Sequence, residues 1–252
     1  MRIAWESQGE GAPLLLVHGL GYTRHGWGPA LELLARRYTV LSFDNRGIGE
    51  SDVPPGPYTV EELAGDALQV LDEAGVERAH VVGASLGGCI AQDLAADRPD
   101  RVERLVLACT MPGGEDAYPI PEQTLLLFAA AATLEPQVAL RRFVENALSP
   151  AAPASLVEEI YAHRLSYPPD PGGWQSQAQA ALAWDAGDRL ERIAAPTLVV
   201  TGTADGVVDP RNSELLASRI PDARLELIEG AGHNVFWERP QEFAQLVEEF
   251  VG

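Results

Sequence analysis

The sequence predicts an α/β fold: a mostly parallel central sheet, helices on both faces, and a helical insertion near the middle of the chain. Three observations predict it. Short apolar runs alternate with amphipathic stretches. The runs lack the period-two alternation of a half-exposed strand, so both of their faces are expected to be covered. The rhythm breaks once, between Met111 and Pro196, where helical spacing and proline take over.

The expected strands are Pro13 to Val17, Val40 to Phe43 (broken by Ser42), Ala79 to Val82 (broken by His80), Leu105 to Cys109, Leu198 to Val200 and Leu225 to Ile228. The expected helices are Pro29 to Arg36, Thr59 to Ala74, Leu86 to Asp97 and Pro240 to Phe250. Strands separated by helices of this length argue a parallel sheet wrapped on both sides. Pro112-Gly113-Gly114 ends the pattern, and strand-like runs return only at Pro196. The stretch between is rich in alanine and leucine, with helical spacing at Thr124 to Thr133 and Pro136 to Leu148, and prolines at 150, 153, 168, 169 and 171. The expected organisation is a core of residues 1–111 and 190–252 with a helical cap at 112–189.

Composition bounds the chemistry. The chain of 252 residues carries 37 acidic against 18 basic side chains, a formal charge of −19. Such a surface repels phosphate backbones and anionic membranes, so neither nucleic acid nor a membrane is an expected partner. All the basic residues are arginine. Without lysine there can be no lysine Schiff base and no Walker-type phosphate loop. Cys89 and Cys109 lie in or beside apolar segments and suit neither a disulfide framework nor a zinc site. No signal peptide is visible, and the longest apolar run, Leu125 to Ala132, is too short to span a bilayer. A cytoplasmic enzyme with no cofactor and no metal is expected; its oligomeric state is not readable.

Gly83-Ala84-Ser85-Leu86-Gly87 matches G-x-S-x-G between a strand-like run and a helical stretch, the context the motif requires. The turn is tight enough to strain the serine backbone, and its neighbours must be small. A dinucleotide loop is excluded because Ser85 stands at the third position of the motif, where that fingerprint needs glycine. Ser85 is the expected nucleophile. A hydroxyl needs a base, and among five histidines His233 is the candidate. It follows the last strand-like run in a glycine-rich loop, at the same sheet end as Ser85. The acid that orients it is expected at Asp205, just beyond the run Leu198 to Val200. Its rival Asp209 precedes Pro210 and a helical stretch, which reads as an N-cap. Acyl transfer also needs two preorganised N–H donors for the developing oxyanion. The backbone amides of Leu86, at a helix start, and Leu20, after His18-Gly19, are the candidates. His18 itself is read as a loop brace.

These pieces resemble a known superfamily. His18-Gly19, the Asp44 to Asp52 stretch, the Gly83 to Gly88 elbow, the Gly202 to Asp205 turn and Gly232-His233 together resemble the α/β-hydrolase fold, in its chain order of serine, acid and histidine. The segment from Asp44 to Gly88 looks most like 3-oxoadipate enol-lactonases and related esterases. The resemblance implies that the cap and the Leu20 loop frame an acyl pocket. It departs from the family pattern at the N-terminus, where Ile3 to Glu6 leaves no room for the first of the usual eight strands. The single-glycine His-Gly-x motif also sets it apart from hormone-sensitive-lipase-like esterases.

The expected function is hydrolysis of a small-molecule carboxylic ester or lactone through an acyl-serine. The alternatives are a C–C bond hydrolase of ring-cleavage products, an aminopeptidase with a cap carboxylate for the substrate amine, and a non-catalytic ligand receptor. In the cap, Trp174, Trp184 and Phe128 read as core, and Arg141-Arg142 as a solvated helix face.

Overall fold

The computed structural model describes residues 1–131 and 133–252. Seven strands form one sheet: β1 (Trp5–Gln8), β2 (Ala12–Val17), β3 (Tyr38–Phe43), β4 (Ala79–Ala84), β5 (Val102–Ala108), β6 (Thr197–Gly202) and β7 (Ala223–Ile228). Their spatial order is β1-β3-β2-β4-β5-β6-β7. Only β1 runs antiparallel, pairing Trp5 with Phe43 at one edge. The sheet is therefore parallel except at that edge, and the N-terminal segment supplies a single edge strand.

The continuous apolar runs have the predicted cause. Leu15, Val17, Val81, Leu105 and Leu107 face one hydrophobic layer. Their neighbours Leu14, Leu16, Val82, Val106 and Ala108 face a second layer on the other side. Alternate residues point to opposite faces, and both faces are buried. Burying one such side chain contributes about 1.5–3 kcal/mol.

The helices of the first half are α1 (Pro29–Leu34), α2 (Val60–Glu73) and α3 (Leu86–Asp97). Thr59 and Glu62 form a reciprocal capping box at the start of α2. Almost every residue of α3 is buried, which ties the elbow that precedes it to the core.

Between β5 and β6 lie α4 (Glu122–Ala131), α5 (Pro136–Asn146), α6 (Ala154–Ser166) and α7 (Pro171–Ala183), followed by the short α8 (Arg189–Arg192). The helix expected over Thr124 to Thr133 is α4; Ala132 lies outside the described residues. The two ends of this insertion meet. Gly113 bridges Asp185, and Ala186 donates to the Pro112 carbonyl at 2.8 Å. The chain then closes with α9 (Arg211–Arg219), the short α10 (Val235–Glu238) and α11 (Pro240–Val251). α9 starts one residue later than expected, with Pro210 at its N-cap. Asp209 still accepts the Arg211 amide at 3.0 Å and pairs with its guanidinium. No helix among the described residues is long and apolar enough to cross a membrane.

Candidate active site

Parallel strands deliver their loops to the same rim, and Ser85, Asp205 and His233 all sit on loops leaving the carboxyl ends of strands: β4, β6 and β7. Ser85 has φ 54° and ψ −122°. A non-glycine residue in this region is strained and persists only where its surroundings hold it. The restraint is visible. The Ser85 amide donates to the Ala108 carbonyl at 2.9 Å, the Thr110 hydroxyl donates to the Ser85 carbonyl at 2.7 Å, and the Gly88 amide donates to the same carbonyl at 2.8 Å. A side chain at Gly87 would run into the Val17 carbonyl, so the elbow closes only with glycine there.

Asp205 is fully used. One oxygen accepts the amides of Val207 and Val208 at 2.8 and 2.9 Å. The other lies 2.8 Å from His233 Nδ1. A carboxylate held this way accepts from Nδ1–H, which leaves Nε2 with its lone pair free. The aspartate side chain is completely buried. The histidine loop is held as well. Glu238 accepts the Gly232 amide at 2.8 Å and the Ser149 amide at 3.0 Å, and the Asn234 amide donates to the Ala147 carbonyl at 3.0 Å. Ser149 and Ala147 belong to the insertion, so the insertion helps to hold the ring.

Ser85 and His233 line one cavity of about 420 Å³. Among the described residues the Ser85 hydroxyl makes no hydrogen bond to the imidazole. Such contacts are commonly long in a free enzyme and tighten on substrate. Leu20 and Leu86 line the same cavity. Leu86 is the first residue of α3, so its amide is one of the orphan donors at a helix start. Gly19 packs against Ser85: a Cβ there would lie 2.9 Å from Ser85 Cβ. The loop is braced from behind, where Asn45 donates to the His18 carbonyl at 3.0 Å. The buried His18 ring stacks on Tyr22 with centroids 4.5 Å apart. Burial lowers the His18 pKa to about 3, so this ring stays neutral.

The cavity wall corrects part of the sequence reading. Phe128 and Trp174, expected as plain core, line the cavity. Trp184 is core, as expected. Helical spacing shows that a residue faces inward, not whether it meets another side chain or a void. Arg141 lies on the surface, paired with Glu158 at 2.8 Å. The lining holds no Asp or Glu among the described residues, so the carboxylate that an aminopeptidase would need is not present there.

Three side chains beside the site escaped the sequence reading. Glu238 and Arg164 carry no local motif. Cys109 was read as ordinary core, yet it has φ 49°, the second strained non-glycine position. Its sulfur, an Asp205 oxygen and a His233 nitrogen lie within 4.8 Å of one another. Burial first, and then the Asp205 charge, push the thiol pKa up, which keeps it protonated. The Asp205 oxygen and His233 Nδ1 are already committed to each other, which fits an acid–base pair better than an open set of metal ligands.

Known proteins resemble this chain over almost its whole length. The sequence pattern described as alpha/beta hydrolase fold matches residues 12–240. The chain is 31% identical to a putative carbamate hydrolase, RutD, of Azorhizobium caulinodans, over 98% of this chain and 94% of that one. It is 31% identical to a poly(3-hydroxyalkanoate) depolymerase of Ectopseudomonas oleovorans, over 95% and 84%. Among solved structures it resembles the enol-lactonase of Burkholderia xenovorans, with a TM-score of 0.86 and 30% identity, over 99% and 96% of the two chains. The pattern match, the relatives and the sheet topology agree: the chain belongs to the α/β-hydrolase fold family and is a hydrolase of that family.

Proposed function

We propose that the protein is a serine hydrolase that cleaves a carboxylic ester or lactone through an acyl-Ser85 intermediate. The observation that carries this reading is the 2.8 Å contact between Asp205 and His233 Nδ1, on a ring that shares one cavity with the strained Ser85. In the first half-reaction Ser85 Oγ attacks the acyl carbon while His233 Nε2 takes the hydroxyl proton. The carbonyl oxygen becomes an oxyanion, received by the amides of Leu20 and Leu86. Collapse breaks the bond to the leaving alkoxide, which takes the proton from His233. Water then repeats the sequence and frees Ser85. Asp205 stays ionised throughout and holds the imidazole in the tautomer that can accept at Nε2. Residues 112–189 serve as the cap that closes the acyl pocket, with Phe128 and Trp174 in its wall.

The names of the relatives support this reading: a depolymerase of a poly(hydroxyalkanoate) and an enol-lactonase. The test is a panel of 4-nitrophenyl esters and lactones. Wild type turns over at least one of them, and Ser85→Ala lowers kcat by about four to six orders of magnitude. A folded wild type that is inert on the whole panel, or an active Ser85→Ala variant, contradicts the proposal.

A further inference from the structure

Two arginines in this chain are buried, and they are treated differently. Arg101 is 9% exposed and fully engaged: it donates to the carbonyls of Glu77 and Val76 at 2.6 and 2.9 Å and pairs with Asp72 at 2.8 Å. Arg164, in the last turn of α6, is 8% exposed and has no carboxylate partner among the described residues. Its Nε is buried with no hydrogen-bond partner among the described residues. The guanidinium instead lies over the Tyr22 ring, with Cζ 3.7 Å from the centroid. Arginine keeps its charge at every relevant pH. Burying that charge without an acceptor is expensive, and proteins rarely tolerate it without a use. The Tyr22 ring face and the carboxyl end of α6 offset part of the penalty. Neither gives the N–H groups an acceptor.

The location says what the missing partner is. Arg164 lines the same cavity as Ser85, and it is the one charged arginine in a wall that holds no Asp or Glu among the described residues. The molecule as a whole is acidic, with a formal charge of −19. The long-range field therefore repels anions, while the cavity presents one unpaired planar cation. The remaining wall is mostly apolar, with Ile120, Leu125, Phe128, Phe143 and Trp174 among its members. Tyr22, on which the guanidinium rests, stacks in turn on His18, two residues before Leu20. The guanidinium is thus held, through two rings, to the loop that faces the nucleophile.

We propose that Arg164 is a specificity residue for a carboxylate on the substrate. The class of molecule is an ester or lactone whose acyl part carries a free carboxylate, set off from the scissile carbonyl by an apolar span. The carboxylate accepts the guanidinium N–H groups, and the span lies along the aromatic wall. This rests on the serine-hydrolase reading above and adds the substrate class to it.

The test uses pairs of substrates that differ only at the far end. Mono-4-nitrophenyl esters of adipate, suberate and sebacate are compared with the same molecules methylated on the free acid. Release of 4-nitrophenol is read in both. Wild type has a higher kcat/KM for the free acid for at least one chain length, through a lower KM. Arg164→Gln lowers the ratio of free-acid to methylated kcat/KM by about tenfold to a hundredfold, the worth of a charge-assisted hydrogen bond. Arg164→Lys, which keeps the charge and loses the planar fork, retains part of the preference. Arg141→Gln on the surface removes the same charge from the molecule and leaves the ratio unchanged. A second arm needs no turnover. Octanoate binding to Ser85→Ala protein, measured by calorimetry, weakens by a similar factor when Arg164→Gln is added. If octanoate binds with this dependence on Arg164 while every ester is inert, the hydrolase reading fails and the anion subsite stands. If wild type shows no free-acid preference at any length, or Arg164→Gln preserves the ratio and the octanoate affinity, the proposed subsite is overturned.

Discussion

The rim of the sheet and the helical insertion meet at one cavity, but they build their halves of it by different means. The rim is made of backbone. Ser85 is held by amide, carbonyl and Thr110 contacts, Asp205 by two amides, and the His233 loop by Glu238 and an insertion carbonyl. The insertion contributes side chains: Phe128, Phe143 and Trp174 pack at tilted angles with centroids 5.5 to 6.1 Å apart. Its outer surface leaves Leu126 more than half exposed. Backbone-built geometry is stiff and tolerates little change, whereas a wall of aromatic side chains can be resized. On the proposed function, the rim answers for the chemistry, and the insertion for what is admitted to it.

That division can be broken by substitution. The larger effect is expected on the rim. Gly19→Ala adds a methyl 2.9 Å from Ser85 Cβ and 3.1 Å from the Ala84 carbonyl oxygen. It must push the Leu20 loop off Ser85, and displacement on the order of 1 Å lowers kcat by about a hundredfold. The fold survives, so an unchanged circular dichroism spectrum with collapsed kcat is the expected pair of readings. The smaller effect is expected on the insertion. Phe128→Ala opens the wall without touching the Ser85 loop, so KM for short acyl esters rises by about tenfold while kcat holds. Acyl preference shifts toward longer or bulkier chains, measured over a series of 4-nitrophenyl esters. Should Phe128→Ala depress kcat as much as Gly19→Ala does, the two regions are not separable in this way.

The same division explains what could be read from the sequence. The rim was legible because its demands are local. Helix Leu86–Asp97 lies where the pattern put it, and Gly83, Gly87, Gly202 and Gly232 sit where a side chain would strike neighbouring atoms. The interior strands were legible because both faces are buried, so only Ser42 and His80 interrupt their apolar runs; the edge strand β7 is only partly buried, and its run carries Glu226. Asp205 and His233, which lie 2.8 Å apart in the structure, are candidates in the sequence because each follows a strand at the shared rim. The insertion was not legible in this sense. Its helices were expected, but Phe128 and Trp174 have the same spacing as Trp184, and only the packing of α4, α5 and α7 separates cavity wall from core. Arg164 and Glu238 are set by tertiary contacts. A charged residue on an amphipathic helix reads as solvated, and nothing near position 164 shows that the Tyr22 ring covers it.

The central claim is that one hydroxyl, activated by one imidazole, does the chemistry. Its most direct test is reaction with a fluorophosphonate, followed by intact-mass and peptide mass spectrometry. The account predicts a single adduct on Ser85 that forms rapidly in wild type, is absent in Ser85→Ala, and forms far more slowly in His233→Ala. An adduct on another residue, or labelling of Ser85 at the same rate with and without the His233 ring, would contradict it.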